Sequence, residues 1–184
     1  VNAMGMTKAL QEKLILSDEI TKDKTTFCCV RYGNVLGSRG SVIPLWDKRL
    51  EQNKPLPITH PDMTRFVLTL SQAIDLVFYS LKNGNGGEIF VKKAPATKMV
   101  NLARAYAELK TDKKNYPLEY IGIRAGEKID EVLVSEEEMR RVSEKKDHFV
   151  IKRESLIDKN FLKKSTKLTE YGSGTITPLN IEEL

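Results

Sequence analysis

The sequence predicts an α/β fold built on a parallel sheet with crossover helices. Three observations predict it. A β-branched and apolar run at residues 25–31 opens directly into a glycine- and serine-rich stretch at 32–41, the arrangement at the carboxyl ends of strands in open α/β sheets. Residues 66–92 read as strand, helix, strand, the connection that parallel pairing requires. Amphipathic helical stretches recur between the apolar runs, and 184 residues with 40% hydrophobic composition are enough for a core.

The elements follow in order. No Gly or Pro interrupts residues 6–20, and Met6, Leu10 and Leu14 recur at helical spacing, so a helix is expected there. Met4 and Lys8, four apart, share a face of it, and the small Gly5, Thr7 and Ala9 leave room for a ligand beside Lys8. An ordinary surface lysine is the competing reading. After a polar link at 21–24, the strand at 25–31 is expected to be buried. It contains both cysteines, Cys28 and Cys29; neighbours in a strand point to opposite faces, so no disulfide joins them and a reducing, cytoplasmic setting follows. The loop Tyr32-Gly33-Asn34-Val35-Leu36-Gly37-Ser38-Arg39-Gly40-Ser41 has a backbone that a ligand can approach closely, or else is a plain strand-to-helix turn.

A helix at 42–52 carries the only tryptophan, Trp46, with Pro44 in its first turn where proline is tolerated. Residues 56–65 read as a proline-punctuated loop in which His60 is solvated and has no metal partner. Phe66-Val67-Leu68 is strand-like; Ser71 is expected to cap a helix at 72–81 with Ala73, Leu76, Val77 and Ser80 along one side. Asn83-Gly84-Asn85-Gly86-Gly87 turns the chain into a strand at 88–92. Thr97 is expected to cap a helix reaching Leu109, with Val100, Leu102, Ala103 and Ala107 inward.

A strand from Tyr116 onward delivers Arg124 and Glu127 onto a glycine-containing loop. The planar guanidinium suits phosphate, and a nearby carboxylate accepts hydrogen bonds from sugar hydroxyls. A plain surface ion pair is the alternative. Ser135-Glu136-Glu137-Glu138 has the spacing of a capping box. His148 lies in a strand at 147–152 and is given no chemical role, and Tyr171-Gly172-Ser173-Gly174 is expected to be mobile or docked on a neighbour.

Charge excludes little. Thirty basic against 25 acidic residues leave +5, but the signs alternate, and the longest basic clusters are pairs such as Lys113-Lys114, too short for a nucleic-acid arm. No apolar run reaches the roughly 18 residues of a membrane span, and no metal-ligand cluster is evident. Neither nucleic acid nor membrane is therefore an expected partner.

Four segments together resemble the extended short-chain dehydrogenase/reductases that act on nucleotide sugars. They are Val1-Asn2-Ala3-Met4-Gly5-Met6-Thr7-Lys8; residues 30–44, from Val30-Arg31-Tyr32-Gly33-Asn34 through the Gly/Ser loop to Pro44; Met63-Thr64-Arg65-Phe66; and Ile123-Arg124-Ala125-Gly126-Glu127-Lys128. The match is nearest to the polysaccharide-biosynthesis 4,6-dehydratases acting on UDP-N-acetylglucosamine, and it thins beyond about residue 150.

The resemblance implies a Rossmann-type fold of which this chain is the C-terminal part. The glycine-rich Gly-x-Gly-x-x-Gly loop does not occur in these residues and is expected upstream of Val1. Residues 1–35 and 66–92 would complete the NAD(P)-binding domain, 36–65 and 93–164 would form a substrate domain, and 165–184 a tail. Lys8 matches the lysine of the family's Tyr-x-x-x-Lys motif, and Met4 takes the place of its tyrosine. A thioether has no proton to exchange, so Met4 is no general acid/base, which disfavours a 4-epimerase or reductase and matches a capsule-precursor, C5-inverting dehydratase branch.

The implied cofactor is NADP or NAD, with Lys8, Tyr32, Gly33 and Asn34 at the cofactor and Lys8 and Met4 at the reacting centre. Asn34, Arg39, Arg65, Arg124 and Glu127 would hold the UDP-sugar substrate. The implied reaction is redox-neutral: a 4-ketone forms, the C5 proton becomes acidic, water departs from C6, and a 6-deoxy-4-keto sugar results. The family implies a homo-oligomer, dimer or hexamer. A 4-epimerase of the same fold and a non-catalytic basic binding module are the alternatives.

Overall fold

The computed structural model describes residues 3–17, 25–153 and 168–184. The expectations for Val1 and Asn2, for the helix and link over 18–24, and for the polar tract from 158 through 167 lie outside these residues. The first elements are α1 (Ala3–Ile15), β1 (Cys29–Arg31), β2 (Asn34–Val35), α2 (Val42–Glu51), β3 (Leu56–Ile58), β4 (Thr64–Leu68), α3 (Leu70–Asn83) and β5 (Ile89–Lys92). They are followed by β6 (Ala96–Lys98), α4 (Met99–Thr111), β7 (Leu118–Tyr120), β8 (Val132–Val134), α5 (Glu136–Met139), β9 (Val142–Glu144), β10 (His148–Ile151) and β11 (Tyr171–Gly172). The described residues fall into two compact units, the first drawn from Val1–Tyr32, Leu70–Lys93 and Val132–Gly172, the second from Gly33–Thr69, Ala94–Glu131 and Ser173–Leu184.

The first unit is organised on a four-stranded sheet in the order β1-β5-β10-β9. β1 runs parallel to β5, with Cys29 opposite Ile89, and the intervening α3 is the crossover that parallel pairing demands. β10 then pairs antiparallel with β5, Phe149 opposite Val91, and β9 antiparallel with β10. Successive side chains of β5 and β10 alternate between faces. Ile89, Val91, Phe149 and Ile151 pack with Val134 on one side, while Phe90 and Val150 meet Leu76 of α3 on the other. Helix α3 begins at Leu70, so Ser71 lies inside its first turn instead of capping it; Ala73, Leu76 and Ser80 are buried as expected, but Val77 is not.

Two expectations for this unit change. β1 is half-buried and only three residues long, because it is the edge of its sheet among the described residues. The stretch at Tyr171-Gly172 pairs within its own unit, joining β8 as β11, and Tyr171 packs edge-on against Phe149. The capping box forms as read, the Ser135 hydroxyl accepting from the Glu138 N–H and Glu138 accepting from the Ser135 N–H.

The second unit holds a three-stranded sheet, β2-β4-β6, and a parallel pair, β3 with β7. Helices α2 and α4 close its core, where Trp46, Leu56, Ile58, Val67, Leu102, Ala103, Ala107 and Tyr116 cluster. Trp46 is fully buried, and its indole N–H donates to the Pro57 carbonyl at 3.3 Å, satisfying its one polar atom. Residues 56–58 are strand instead of loop. Leu56 and Ile58 make the ladder bonds to β7 and beyond, so the missing N–H of Pro57 falls between them at an edge position. Helix α4 begins at Met99 with Lys98 as its N-cap; Thr97 lies fully buried in β6, its hydroxyl against the Lys98 and Leu179 carbonyls.

Residues 132–151, expected in a substrate domain with 93–131, lie instead in the first unit, because β10 finds its partner in β5. Likewise 66–69, expected in the cofactor-binding domain, belong to the second unit through the pairing of β4 with β2 and β6.

Candidate functional site

The second unit contains an open cleft of about 720 Å³, within the size range of small-molecule sites. One wall is the loop and first turn of α2, residues 38–44; the others come from β3, the start of β4, α4, and the loop after β7. Asn34, Arg39, Arg65, Arg124 and Glu127, picked from the sequence as substrate ligands, all line it, three of them on loops, Asn34 on β2 and Arg65 on β4. Asn34, Arg39 and Arg124 are exposed, so their polar groups are available to a ligand.

The chemistry of the cleft is that of an anion site beside an apolar wall. The first N–H groups of α2 have no intrahelical partner, and Ser41 at the N-cap offers no side-chain hydrogen bond to them. Such an end favours an anion, and Arg39 lies on the loop that leads into it. Gly37 and Gly40 adopt φ of +71° and +74°, which lets that loop turn twice around Arg39 without Cβ strain. Ile43, Ile58, Met63, Met99 and Leu102 supply apolar surface for a flat or aliphatic ligand part.

The loop carrying Arg124 and Glu127 is preorganised. Glu127 accepts the Arg124 N–H at 3.1 Å, and its own N–H returns to the Arg124 carbonyl at 3.0 Å. Arg65 fastens this loop to β4. Its guanidinium donates to the carbonyls of Thr64 (2.7 Å), Ile129 (2.9 Å) and Lys128 (2.8 Å) and stands 3.7 Å from Glu131. Most of its hydrogen-bonding capacity is therefore committed to protein carbonyls, and its chief action on a ligand passes through the loop it holds. Below it, Thr64 donates to Asp130 at 2.6 Å and Ser173 donates to the Thr64 carbonyl at 3.3 Å, a network that pins residues 130–131.

Gly33 belongs to packing. A Cβ there would lie 2.3 Å from the Phe66 Cβ, so only a hydrogen fits between β2 and the fully buried Phe66. Among the lining residues that sequence reasoning missed are Lys48, Thr59 and Ile121, each outside the recognised segments in an unremarkable local pattern.

In the first unit, Met4 and Lys8 occupy the exposed N-terminal part of α1, Met4 at 64% exposure. Among the described residues the Lys8 ammonium has no hydrogen-bond or ion-pair partner. One turn later on the same face, Glu12 is held by Arg31, the last residue of β1, which also binds Glu138. Burial opposes the Arg31 charge, but the hydrogen-bonded Glu12 and Glu138 outweigh it and hold the guanidinium above its ordinary pKa. Burial pushes the Glu138 carboxyl up, and the bonds from Arg31 and Ser135 more than reverse this, leaving it below the ordinary range. Tyr32 follows Arg31 and is 42% exposed.

Comparison with known proteins bears on what this arrangement serves. Residues 1–153 match the model of a family described as polysaccharide biosynthesis protein. A Rickettsia bellii protein named UDP-glucose 4-epimerase is 42% identical over 193 aligned residues; the match takes in all of this chain and 56% of that protein. The chain thus spans little more than half the length of the curated relatives it matches. Among solved structures, Pen from Bacillus thuringiensis superposes with a TM-score of 0.82 at 36% identity, over 97% of this chain and 54% of that one. A dTDP-glucose 4,6-dehydratase from Bacillus anthracis, solved with NAD, gives 0.58 at 18% identity over 67% of this chain and 41% of its own, a likeness of fold alone. The fold is the C-terminal portion of a Rossmann-type α/β arrangement shared by sugar-nucleotide epimerases and dehydratases. Among the described residues no helix is long and apolar enough to cross a membrane.

Proposed function

Because the chain belongs to the polysaccharide biosynthesis protein family, a group related to nucleotide-sugar epimerases and dehydratases, we propose that it is the substrate-holding part of a UDP-N-acetylglucosamine 4,6-dehydratase, inverting at C5 and supplying a 6-deoxy-4-keto sugar for surface polysaccharide in the cytoplasm. The observation that carries the substrate reading is the cleft of the second unit. There Arg39, Arg124 and the N-terminus of α2 line one space with a loop carboxylate and an apolar wall. In the proposed complex the diphosphate takes the arginines and the free N–H groups of α2. Glu127 accepts from the uridine ribose, Asn34 contacts the sugar near the pyrophosphate, and Arg65 keeps the 124–127 loop in place.

The exposed Lys8 ammonium, without a partner among the described residues, fits a nicotinamide ribose, whose hydroxyls would accept from it. Bound NADP or NAD would supply a hydride acceptor at C4 and its return at C6. Lys8 would orient that ribose; Tyr32, Gly33 and Asn34 are the other residues we assign to the cofactor. Met4, one turn before Lys8, offers no exchangeable proton, which is the feature supporting dehydration with the acid/base groups elsewhere over a phenol-assisted epimerisation.

The names of the relatives favour a second reading, a 4-epimerase on the same scaffold. Product analysis separates the two: NMR of the complete protein's reaction on UDP-N-acetylglucosamine shows a 6-deoxy-4-keto sugar for the dehydratase and only the C4 epimer otherwise. Calorimetry with UDP tests the cleft. Arg124→Ala should weaken UDP by about tenfold or more, the scale of a lost charge-assisted hydrogen bond. Equal affinity of wild type and variant would refute the assignment of Arg124, and strongly salt-dependent RNA binding without UDP binding would favour a nucleic-acid module.

A further inference from the structure

We infer that Arg31 is a positioning residue whose guanidinium sets the rotation of α1 and thereby the direction of the Lys8 ammonium. The inference rests on the proposed role of Lys8 at the nicotinamide ribose.

The geometry is unusually complete. Arg31 has five N–H donors in a rigid fork, and all are used. The Nε–H donates to Glu12 at 2.8 Å, and Nη2 donates to the other Glu12 oxygen and to Glu138 at 2.8 Å. Nη1 donates to the second Glu138 oxygen and to the Leu133 carbonyl, both at 2.9 Å. Glu138 is itself locked, since the same carboxylate closes the capping box of α5. The clamp thus refers α1 to α5 and β8, two elements on the buried side of the first unit's sheet.

Among the described residues, the bridge to Arg31 is the principal side-chain fastening of α1. No residue within it is buried, and from Ala3 to Leu14 only Glu12 is sheltered. Met4, Met6, Leu10 and Leu14 are all more than half exposed. Apolar packing enters only at its end, where Leu16 joins the core. Among the described residues the grip on Glu12 is therefore a direct constraint on the rotation of α1 about its axis. Lys8 lies four residues before Glu12, on the same face. Turning Glu12 away from Arg31 turns Lys8 by the same angle. Lysine cannot replace the clamp, because three donors on one nitrogen do not reproduce two parallel bonds to each of two carboxylates.

The experiment uses the complete, nicotinamide-binding protein with Arg31→Lys, Arg31→Met and Glu12→Gln. Hydrogen exchange of the α1 amides reads the clamp; calorimetric titration with NADP and NAD reads the direction of Lys8; titration with UDP, whose proposed ligands all lie in the second unit, is the control. Arg31→Lys should weaken the dinucleotide about tenfold, the scale of one lost ionic hydrogen bond, speed exchange in α1 but not in β5 or β10, and leave UDP affinity unchanged. Glu12→Gln, which keeps the size and loses the charge, should do the same to a smaller degree and carries the test if Arg31→Met does not fold.

Unchanged α1 exchange in Arg31→Lys would overturn the clamp. Faster exchange with wild-type dinucleotide affinity would overturn the positioning role and leave the bridge structural. Both of these presuppose a wild type that binds the dinucleotide and a Lys8→Met that does not bind it as well. A wild type that binds none, or a Lys8→Met that binds as tightly, would bring down the functional reading and this inference together, a result distinct from either of the others.

Discussion

Replacing Gly33 with alanine should destabilise the second unit through a single contact. The backbone of Gly33 is not in the left-handed region, so alanine meets no conformational penalty there. Its Cβ would stand 2.3 Å from the Phe66 Cβ and 3.2 Å from its Cγ, more than an ångström inside ordinary contact at the nearer atom. Phe66 has no room to retreat, being fully buried in β4 and paired with Ala96 across β6. The remaining escape is for β2 to lift from β4, at the expense of the Asn34–Val67 and Val35–Leu68 pairing.

Forcing a methyl into such a space costs about 1–3 kcal/mol, and each ladder bond lost adds about 1 kcal/mol. A total near 2–4 kcal/mol would lower the urea midpoint by about 1–2 M at a typical slope of roughly 2 kcal/mol/M. Trp46, buried in the same unit, provides the fluorescence readout. The clashing atom is the Cβ of Phe66, so Phe66→Ala on the Gly33→Ala background keeps the clash and should give no rescue. A Gly33→Ala protein within 0.5 kcal/mol of wild type (about the noise of such comparisons), or a rescue by Phe66→Ala, would refute the reasoning. A variant that is stable but binds cofactor poorly would restore the ligand-approach reading of this glycine.

Three further outcomes follow from the same structure. Trp46→Ala, emptying a fully buried site at the centre of the second core, should cost about 3–5 kcal/mol by chemical denaturation. Arg65→Lys keeps the charge but loses the fork that holds the Thr64, Lys128 and Ile129 carbonyls; UDP affinity should fall several-fold, about 3–10 times for a loosened contact loop, with faster amide exchange at 121–128. His148 lies on β10 against Tyr79 of α3 and Phe90 of β5. Burial and then Lys92, with Lys145 and Lys93 adding, hold its pKa below the ordinary value against the opposing Asp147. The folded state therefore binds this proton less readily than the unfolded one, so stability is full above the unfolded pKa, near 6.5, and is lost as pH falls through the folded pKa. The melting temperature should drop as pH falls below the unfolded pKa, near 6.5, and His148→Gln should flatten that drop.

Much of this was legible in the sequence where local chemistry decides the outcome. The capping box at Ser135 and the inward face of α3 through Ala73 and Leu76 needed no tertiary information. Neither did the proline-tolerant start of α2. The cleft residues Asn34, Arg39, Arg65, Arg124 and Glu127 were legible through recognisable segments, and the structure brings those five into one space. What escaped was set by partners far along the chain. β6, β8 and β9 are three-residue strands that exist because β4, β11 and β10 are there to pair with them. β3 hides behind Pro57, which local rules read as a breaker and an edge ladder tolerates. Arg31 gave no local sign of its role, since its carboxylate partners lie 19 and 107 residues away. Gly33 looked like a ligand-approach glycine until Phe66 was seen against it.

The chain changes units after Tyr32, Thr69, Lys93, Glu131 and Gly172, and the last of these handovers constrains how the molecule is made. Tyr171 completes a ladder in one unit while its near neighbour Ser173 is sealed into the other, between Thr64 and Glu131. On a ribosome neither unit can close until the residues around Tyr171 and Ser173 have been made. A stop codon just ahead of Tyr171 would consequently leave two unfinished bodies instead of one, and proteolysis in the connecting segments would release neither as a self-contained domain.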